Sequence, residues 1–156
     1  MTRLGFLSAA MLGLASLIAP APVAAQDAGV TGAAEAAFPN GTAFNGVPLK
    51  GLTLGQGMFI AQDGSAAGQF QAVLLGTSLL RTPQNVTVEG EVRGGSVGAD
   101  GSATFSGTAT VDMGDGTLPL AGVPFAVTVS AGSLGLILNA VALPTATVTA
   151  GSITIK

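Results

Sequence analysis

The sequence predicts an all-β domain, an antiparallel sandwich or a small closed barrel of roughly eight to ten strands, preceded by a cleaved signal peptide. Strict alternation of apolar and polar residues, the pattern of a half-buried antiparallel strand, recurs along the chain. Glycine-based turns separate these windows at a spacing of about 8–12 residues, as in sandwiches and barrels. Outside a short Ala-rich segment near the start, no window of the expected domain shows the helical period.

Residues 1–25 have the pattern of a secretory signal peptide. Arg3 gives a positive start, Leu4–Ala19 is a run of apolar and small residues, and Val23–Ala25 supplies the small residues of a cleavage site. The alternative is a transmembrane anchor, which needs about 20 apolar residues flanked by charge, and this run is shorter. We therefore expect an exported protein, secreted or periplasmic, with no stable membrane insertion after cleavage.

The chain after the signal divides into two parts. Residues 26–45 are rich in Ala and Gly and are predicted to be a leader, either disordered or with a short helix over Ala33–Ala37. Residues 46–156 are predicted to form a single β-domain, because that length is enough for one modest core.

The first strands of this domain form a predicted hairpin. Gly57–Gln62 and Gln69–Leu75 flank Asp63 and Gly64, and an Asp-Gly pair suits the left-handed conformation of a tight turn.

The middle of the domain has the clearest alternation. Asn85–Arg93 and Ser102–Asp112 each place apolar residues on one face and Thr, Ser or charged residues on the other. A similar strand follows around Val127, and Leu134–Leu138 is a continuous apolar run, as expected for a strand covered on both faces or for a barrel stave. The residues predicted to point inward are Val86, Val88, Val92, Ala103, Phe105, Ala109, Val111, Phe125, Val127 and Val129. Two β-branched runs, Thr145–Thr149 and Ser152–Ile155, close the chain.

The absence of His, Cys, Trp and Tyr limits the chemistry more than any motif does. His is the commonest general base and, with Cys, supplies most zinc and copper ligands. A Cys-free exported chain also favours a bacterial source. The net charge of −3 becomes −4 without Arg3, and the remaining cations are too scattered to form the basic patch that nucleic acid requires. We expect no enzyme activity, no cofactor and no nucleic-acid partner.

Carboxylates supply the few candidate sites. Asp112 and Asp115 are candidate calcium ligands, but calcium needs six or more oxygens and no third acid lies nearby, which favours a hairpin turn. Glu89 and Glu91 share one face of a strand, as glycosidase carboxylates could, but a solvated strand face neutralised by Arg93 is favoured.

The remaining candidates are Lys50 and the buried leucines. Lys50 lacks the motif of a Ser–Lys hydrolase and is expected at the surface. If the sheet encloses a cavity, leucines are candidates to line it, although such residues more often fill an ordinary core. They are Leu74, Leu134, Leu136 and Leu138, with Leu75, Leu79 and Leu80 as further candidates.

Three functions remain open at this point. The favoured one is a non-enzymatic exported β-domain that acts through its surface as a structural, adhesive or surface-binding module, with self-association or contact with the cell envelope. A small β-barrel that binds an apolar ligand is the first alternative. A carboxylate-based hydrolase is the second, and the less favoured.

Overall fold

The computed structural model describes residues 27–156, which form ten β-strands. The expected signal peptide lies outside these described residues. Within residues 27–156, no helix is long and apolar enough to cross a membrane. The strands are β1 (Ala28–Ala37), β2 (Ala43–Phe44), β3 (Val47–Ile60), β4 (Ser65–Gly76), β5 (Val86–Val97), β6 (Ala103–Asp112), β7 (Leu120–Val129), β8 (Ser133–Leu138), β9 (Val141–Ala142) and β10 (Ala146–Ile155).

Eight of these strands form one closed antiparallel sheet. Strands β3 to β8 pair each with the next along the chain, β8 pairs with β10, and β10 pairs with β1. The ladder then returns to its origin, because β1 also pairs with β3 along its whole length. The short strands β2 and β9 extend β3 and β8 outside this ring. The all-β prediction is therefore confirmed, with the sheet closed on itself.

The segment predicted to be a leader is instead part of this sheet. β1 alternates buried and exposed positions, with Val30, Ala34 and Ala36 buried and Glu35 exposed. The prediction of disorder or of a short helix over Ala33–Ala37 was wrong. Alanine is the best helix former, but such a preference is worth less than about 1 kcal/mol per residue. Backbone pairing on both sides of β1 outweighs it.

The inward-facing apolar positions form one core. Every inward position predicted for the strands around Val88, Phe105 and Val127 is buried. At the centre, the rings of Phe70 and Phe125 stack with centroids 5.5 Å apart, and the ring of Phe105 lies 5.8 Å from that of Phe70.

An inward-facing glycine makes room for this aromatic cluster. Gly90 lies on β5, and a Cβ built on it would come within 2.7 Å of the Phe125 ring. Ordinary contacts between carbon atoms are about 3.5–4.0 Å. A side chain at this position would therefore displace the Phe125 ring, and glycine leaves the ring room to pack where it does.

The structure decides between the two interpretations of Leu134–Leu138. In β8, Leu134, Leu136 and Leu138 are buried while Ile137 is 43% exposed, so this strand is a stave of the closed sheet and is not covered on both faces. The two predicted C-terminal runs are a single strand, β10, with a bulge beside Glu35.

The hairpin about Asp63 and Gly64 is confirmed, and Gly64 has the positive φ of 83° that its turn requires.

The alternating direction of the strands gives the sheet two chemically different ends. The β3–β4, β5–β6 and β7–β8 connections lie at one end, where Gly29 and Lys156 also exchange backbone hydrogen bonds of 2.8 and 3.0 Å. We call this the turn end. The β4–β5, β6–β7 and β8–β9 connections lie at the opposite end, which we call the leucine end because of the residues described below.

Candidate functional site

The outer face of β4 and β5 carries two glutamines and two glutamates that lie opposite each other. Gln69 lies opposite Glu91, and Gln71 lies opposite Glu89. Two shallow grooves, of about 500 and 360 Å³, meet at the two glutamines. The second groove is open because Gly55 and Gly57 occupy the outward positions on the neighbouring strand β3.

The exposed amides and carboxylates of this face can form hydrogen bonds with water or with a polar ligand. Amides donate and accept, carboxylates accept, and Arg93 forms an ion pair with Glu91 at 3.4 Å between Nη2 and Oε2. Both side chains of this pair are about two-thirds exposed, at 67% and 70%, so the pair contributes little to stability. Glu89 and Glu91 share the outward face, as predicted, and line the groove of about 500 Å³, which is shallow and open to solvent.

Three connections repeat one turn design, in which Asp, Gly and Ser or Thr follow one another. The Asp63 carboxylate accepts hydrogen bonds from the Ser65 hydroxyl at 2.6 Å and the Ser65 amide at 2.9 Å. Asp100 binds Ser102 in the same way, and Asp115 binds Thr117. These hydrogen bonds hold the pKa of each carboxyl below its ordinary value of 3.8, and the bond from the hydroxyl has a larger effect than the bond from the amide.

The two candidate calcium ligands are engaged within their own loop. Asp112 accepts a hydrogen bond from the Gly114 amide at 2.9 Å, and Asp115 accepts both bonds from Thr117. Across residues 27–156, no group of three or more His, Cys, Asp or Glu side chains is arranged to hold a metal ion. These carboxylates therefore serve the backbone of the β6–β7 connection.

The other sequence candidates lie apart from the grooves. Lys50 is exposed on β3, near the leucine end. The leucines expected to line a cavity are fully buried members of the core and line neither groove; they are Leu74, Leu134, Leu136 and Leu138.

The side chain of Gln56 is polar and faces the core. Gln56 is flanked across the sheet by Gly32 and Phe70, and it shares the inward face of β3 with Leu54 and Met58. Its amide nitrogen and oxygen are both buried and have no hydrogen-bond partner among residues 27–156. A buried amide without a partner is destabilising.

The leucine end exposes apolar side chains where loops usually carry polar ones. Leu79 is 94% exposed, Leu80 86%, Leu118 94% and Leu120 61%. These four residues are the leucine rim. Leu79 and Leu80 lie in the β4–β5 connection, Leu118 lies in the β6–β7 connection, and Leu120 is the first residue of β7. The two connections are in contact, because the Gln84 side-chain amide donates a hydrogen bond to the Met113 carbonyl at 3.1 Å.

The first of these connections holds its leucines outward by a tight turn. Ser78 and Thr82 bond through their backbones at 2.9 Å and their hydroxyls at 2.7 Å, and the Arg81 amide donates to the Ser78 carbonyl at 2.9 Å. Leu79 and Leu80 occupy the two central positions. Arg81 has a φ of 61°, a left-handed conformation that costs a non-glycine residue about 1–2 kcal/mol.

Sequence reasoning missed this surface. Leu79 and Leu80 were candidates to line a cavity or to fill the core, and their exposure shows that both interpretations were wrong. The available signal was local: a Leu-Leu pair between Ser78 and Arg81-Thr82-Pro83 lies in a stretch without alternation, where a turn is expected.

Comparison with protein-family models, with curated proteins and with solved structures finds no match to this chain. Functional inference therefore depends on the geometry described above.

Proposed function

We propose that this protein is an exported, non-enzymatic β-domain that adheres to the lipid surface of the cell envelope through its leucine rim. The observation that carries the proposal is the pair Leu79 and Leu80, which are 94% and 86% exposed at the tip of a hydrogen-bonded turn. Full burial of a leucine side chain is worth about 1.5–3 kcal/mol, so two adjacent leucines supply useful affinity for an apolar phase.

The composition of this turn supports a role in binding. Central positions of tight turns favour Gly, Asn, Asp and Ser, because these residues tolerate the backbone geometry or bond to it. Here two leucines occupy those positions and an arginine takes the left-handed one. Departures from local rules without a gain in folding are expected at functional sites.

Shape and charge favour a lipid surface over a folded protein partner. Side chains about nine-tenths exposed project from a convex tip, and such a tip can enter a lipid layer without a complementary pocket. Arg81, the only charged residue between Thr77 and Asn85, stands next to the leucines, where its guanidinium can bind lipid phosphates. The acids Asp27, Asp63 and Asp100 belong to the opposite, turn end of the sheet. Asp112 and Asp115 lie at the leucine end, where their carboxylates accept hydrogen bonds within their own connection.

No catalytic step belongs to this proposal. The sequence has no His or Cys, and Glu89 and Glu91 lie on an open, exposed face rather than in a cleft that excludes water.

The test measures co-sedimentation of the protein, purified from the exported fraction, with phosphatidylcholine and phosphatidylglycerol vesicles. We expect binding by the wild type and a loss of about tenfold or more in affinity for Leu79→Ser/Leu80→Ser, which corresponds to about 1.4 kcal/mol. Val97→Ser is the matched control, because Val97 is 40% exposed at the turn end, and it is expected to bind like the wild type. Failure of the wild type to bind, or equal binding by the double variant, would refute the proposal. The mass of the exported protein tests cleavage after Ala25.

A further inference from the structure

The last strand of the sheet has an edge that is open along most of its length. β10 pairs with β8 only at Ala146 and Thr147, and one more bond joins the Val148 amide to the Gly132 carbonyl at 3.0 Å. From Thr149 to Ile155, β10 pairs only with β1 among the residues that the structure describes.

The backbone of this edge is oriented to accept another strand. Lys156 exchanges both of its backbone hydrogen bonds with Gly29, so alternate residues of β10 bond to β1 and those between them point away. Ile153 and Ile155 therefore present their amides and carbonyls to the open side. Their side chains face inward beside β1 and are only half-buried, which leaves apolar surface for a neighbouring strand to cover.

The edge lacks charge and proline, two of the usual protections, and its irregularity is confined to the bulge at Thr149 and the positive φ of 81° at Gly151. Residues 149–155 contain no charged residue and no proline, although proteins commonly guard exposed edges with Lys or Pro. The outward side chains include Ser152 and Thr154, which are small and polar. Nothing in this segment repels a second strand of the same sequence.

We propose that two copies of this protein pair antiparallel through residues 149–155, with the two-fold axis at Ser152. Charge favours this register. Lys156 of one copy then lies across from Val148 of the other, and Val148 pairs with Ala36, next to Glu35. Both Lys156 and Glu35 are exposed and lie on the outward face, so the dimer brings opposite charges together twice.

The symmetry of the pair makes the assembly finite. The same edge is used by both copies, so the interface is isologous and closes as a dimer. The dimer forms at a different surface from the leucine rim and does not depend on the proposed lipid adhesion.

The test measures the mass of the exported protein by sedimentation equilibrium and multi-angle light scattering. We expect a dimer for the wild type and a monomer for Ser152→Lys and for Ser152→Glu, because each places two like charges directly opposite each other across the axis. Mixing the two variants is expected to restore the dimer, since Lys then faces Glu. Ser106→Lys, at an exposed outward position on β6 that is paired on both sides, is the control and is expected to remain dimeric.

Other outcomes overturn the inference. A wild type that stays monomeric as its concentration is raised shows that the edge is covered or inert. A dimer that survives Ser152→Lys but is lost in Leu79→Ser/Leu80→Ser shows that the copies meet at the leucine rim. Circular dichroism and thermal unfolding establish that each variant folds. Vesicle binding by Ser152→Lys separates this result from the proposed lipid adhesion.

Discussion

Replacing Gln56 with methionine is expected to stabilise the protein, although it removes a polar residue from the middle of a strand. Both polar atoms of the side-chain amide are buried without a partner in residues 27–156. An unsatisfied buried amide costs about 1–3 kcal/mol. Methionine has a similar length and adapts to irregular packing, so the strain of the exchange stays below about 1.5 kcal/mol. The net expectation is a gain of about 1–2 kcal/mol in the free energy of unfolding.

Urea denaturation followed by circular dichroism measures this gain. With a slope of about 2 kcal/mol/M, the middle of the usual range for a small domain, the midpoint is expected to rise by roughly 0.5–1 M with an unchanged slope. Gln71→Met is the matched control, because Gln71 is exposed on the adjacent strand β4, and it should change stability by less than about 0.5 kcal/mol. If Gln56→Met instead lowers stability by about 1 kcal/mol or more, the amide is hydrogen-bonded in the folded protein and the reasoning is refuted.

Three further predictions concern tight turns and the aromatic cluster. Gly90→Ala should destabilise the fold by about 1–3 kcal/mol through overpacking against Phe125, whereas Gly55→Ala, where an added Cβ meets nothing within 4 Å, should be nearly neutral in urea denaturation; equal effects would contradict the packing argument. Ala140→Gly should raise stability by about 0.5–1 kcal/mol, because Ala140 has a φ of 64°, and Ala142→Gly in β9 should not; a loss at Ala140 would show that its conformation is not strained. Because the folded pKa of three turn aspartates is lowered, their stabilisation is present above the ordinary value of 3.8 and is lost as the pH falls through the folded value. Replacing all three with Asn should flatten the fall in melting temperature between about pH 5 and pH 2, and an unchanged pH profile would contradict this assignment. These aspartates are Asp63, Asp100 and Asp115.

Strand positions in the middle of the chain were predictable because local pattern and tertiary environment agree there. Val88 and Phe105 alternate with polar neighbours, and one face of each strand is buried in the structure. The turn at Asp63 and Gly64 was predictable for a similar reason, since its conformation is set by the residues themselves.

The strand β1 and the leucine rim were not predictable on this basis. Residues Ala33–Ala37 prefer no single conformation strongly, and their strand depends on partners about 20 and 115 residues away along the chain. Leucine is usually a core residue, and only the geometry of its turn places Leu79 in solvent. Closure of the sheet likewise depends on long-range pairing, which no local pattern encodes.

Pairing of β1 with β10 has a consequence for the order of events during synthesis. Thr31 lies opposite Thr154, so the ring cannot close until residue 154 has emerged from the ribosome. Until then β3 lacks its partner on one side, and contacts between such distant residues form slowly. The chain therefore stays open while residues 27–153 are synthesised, and an open polypeptide is the form that can be threaded through a translocation channel.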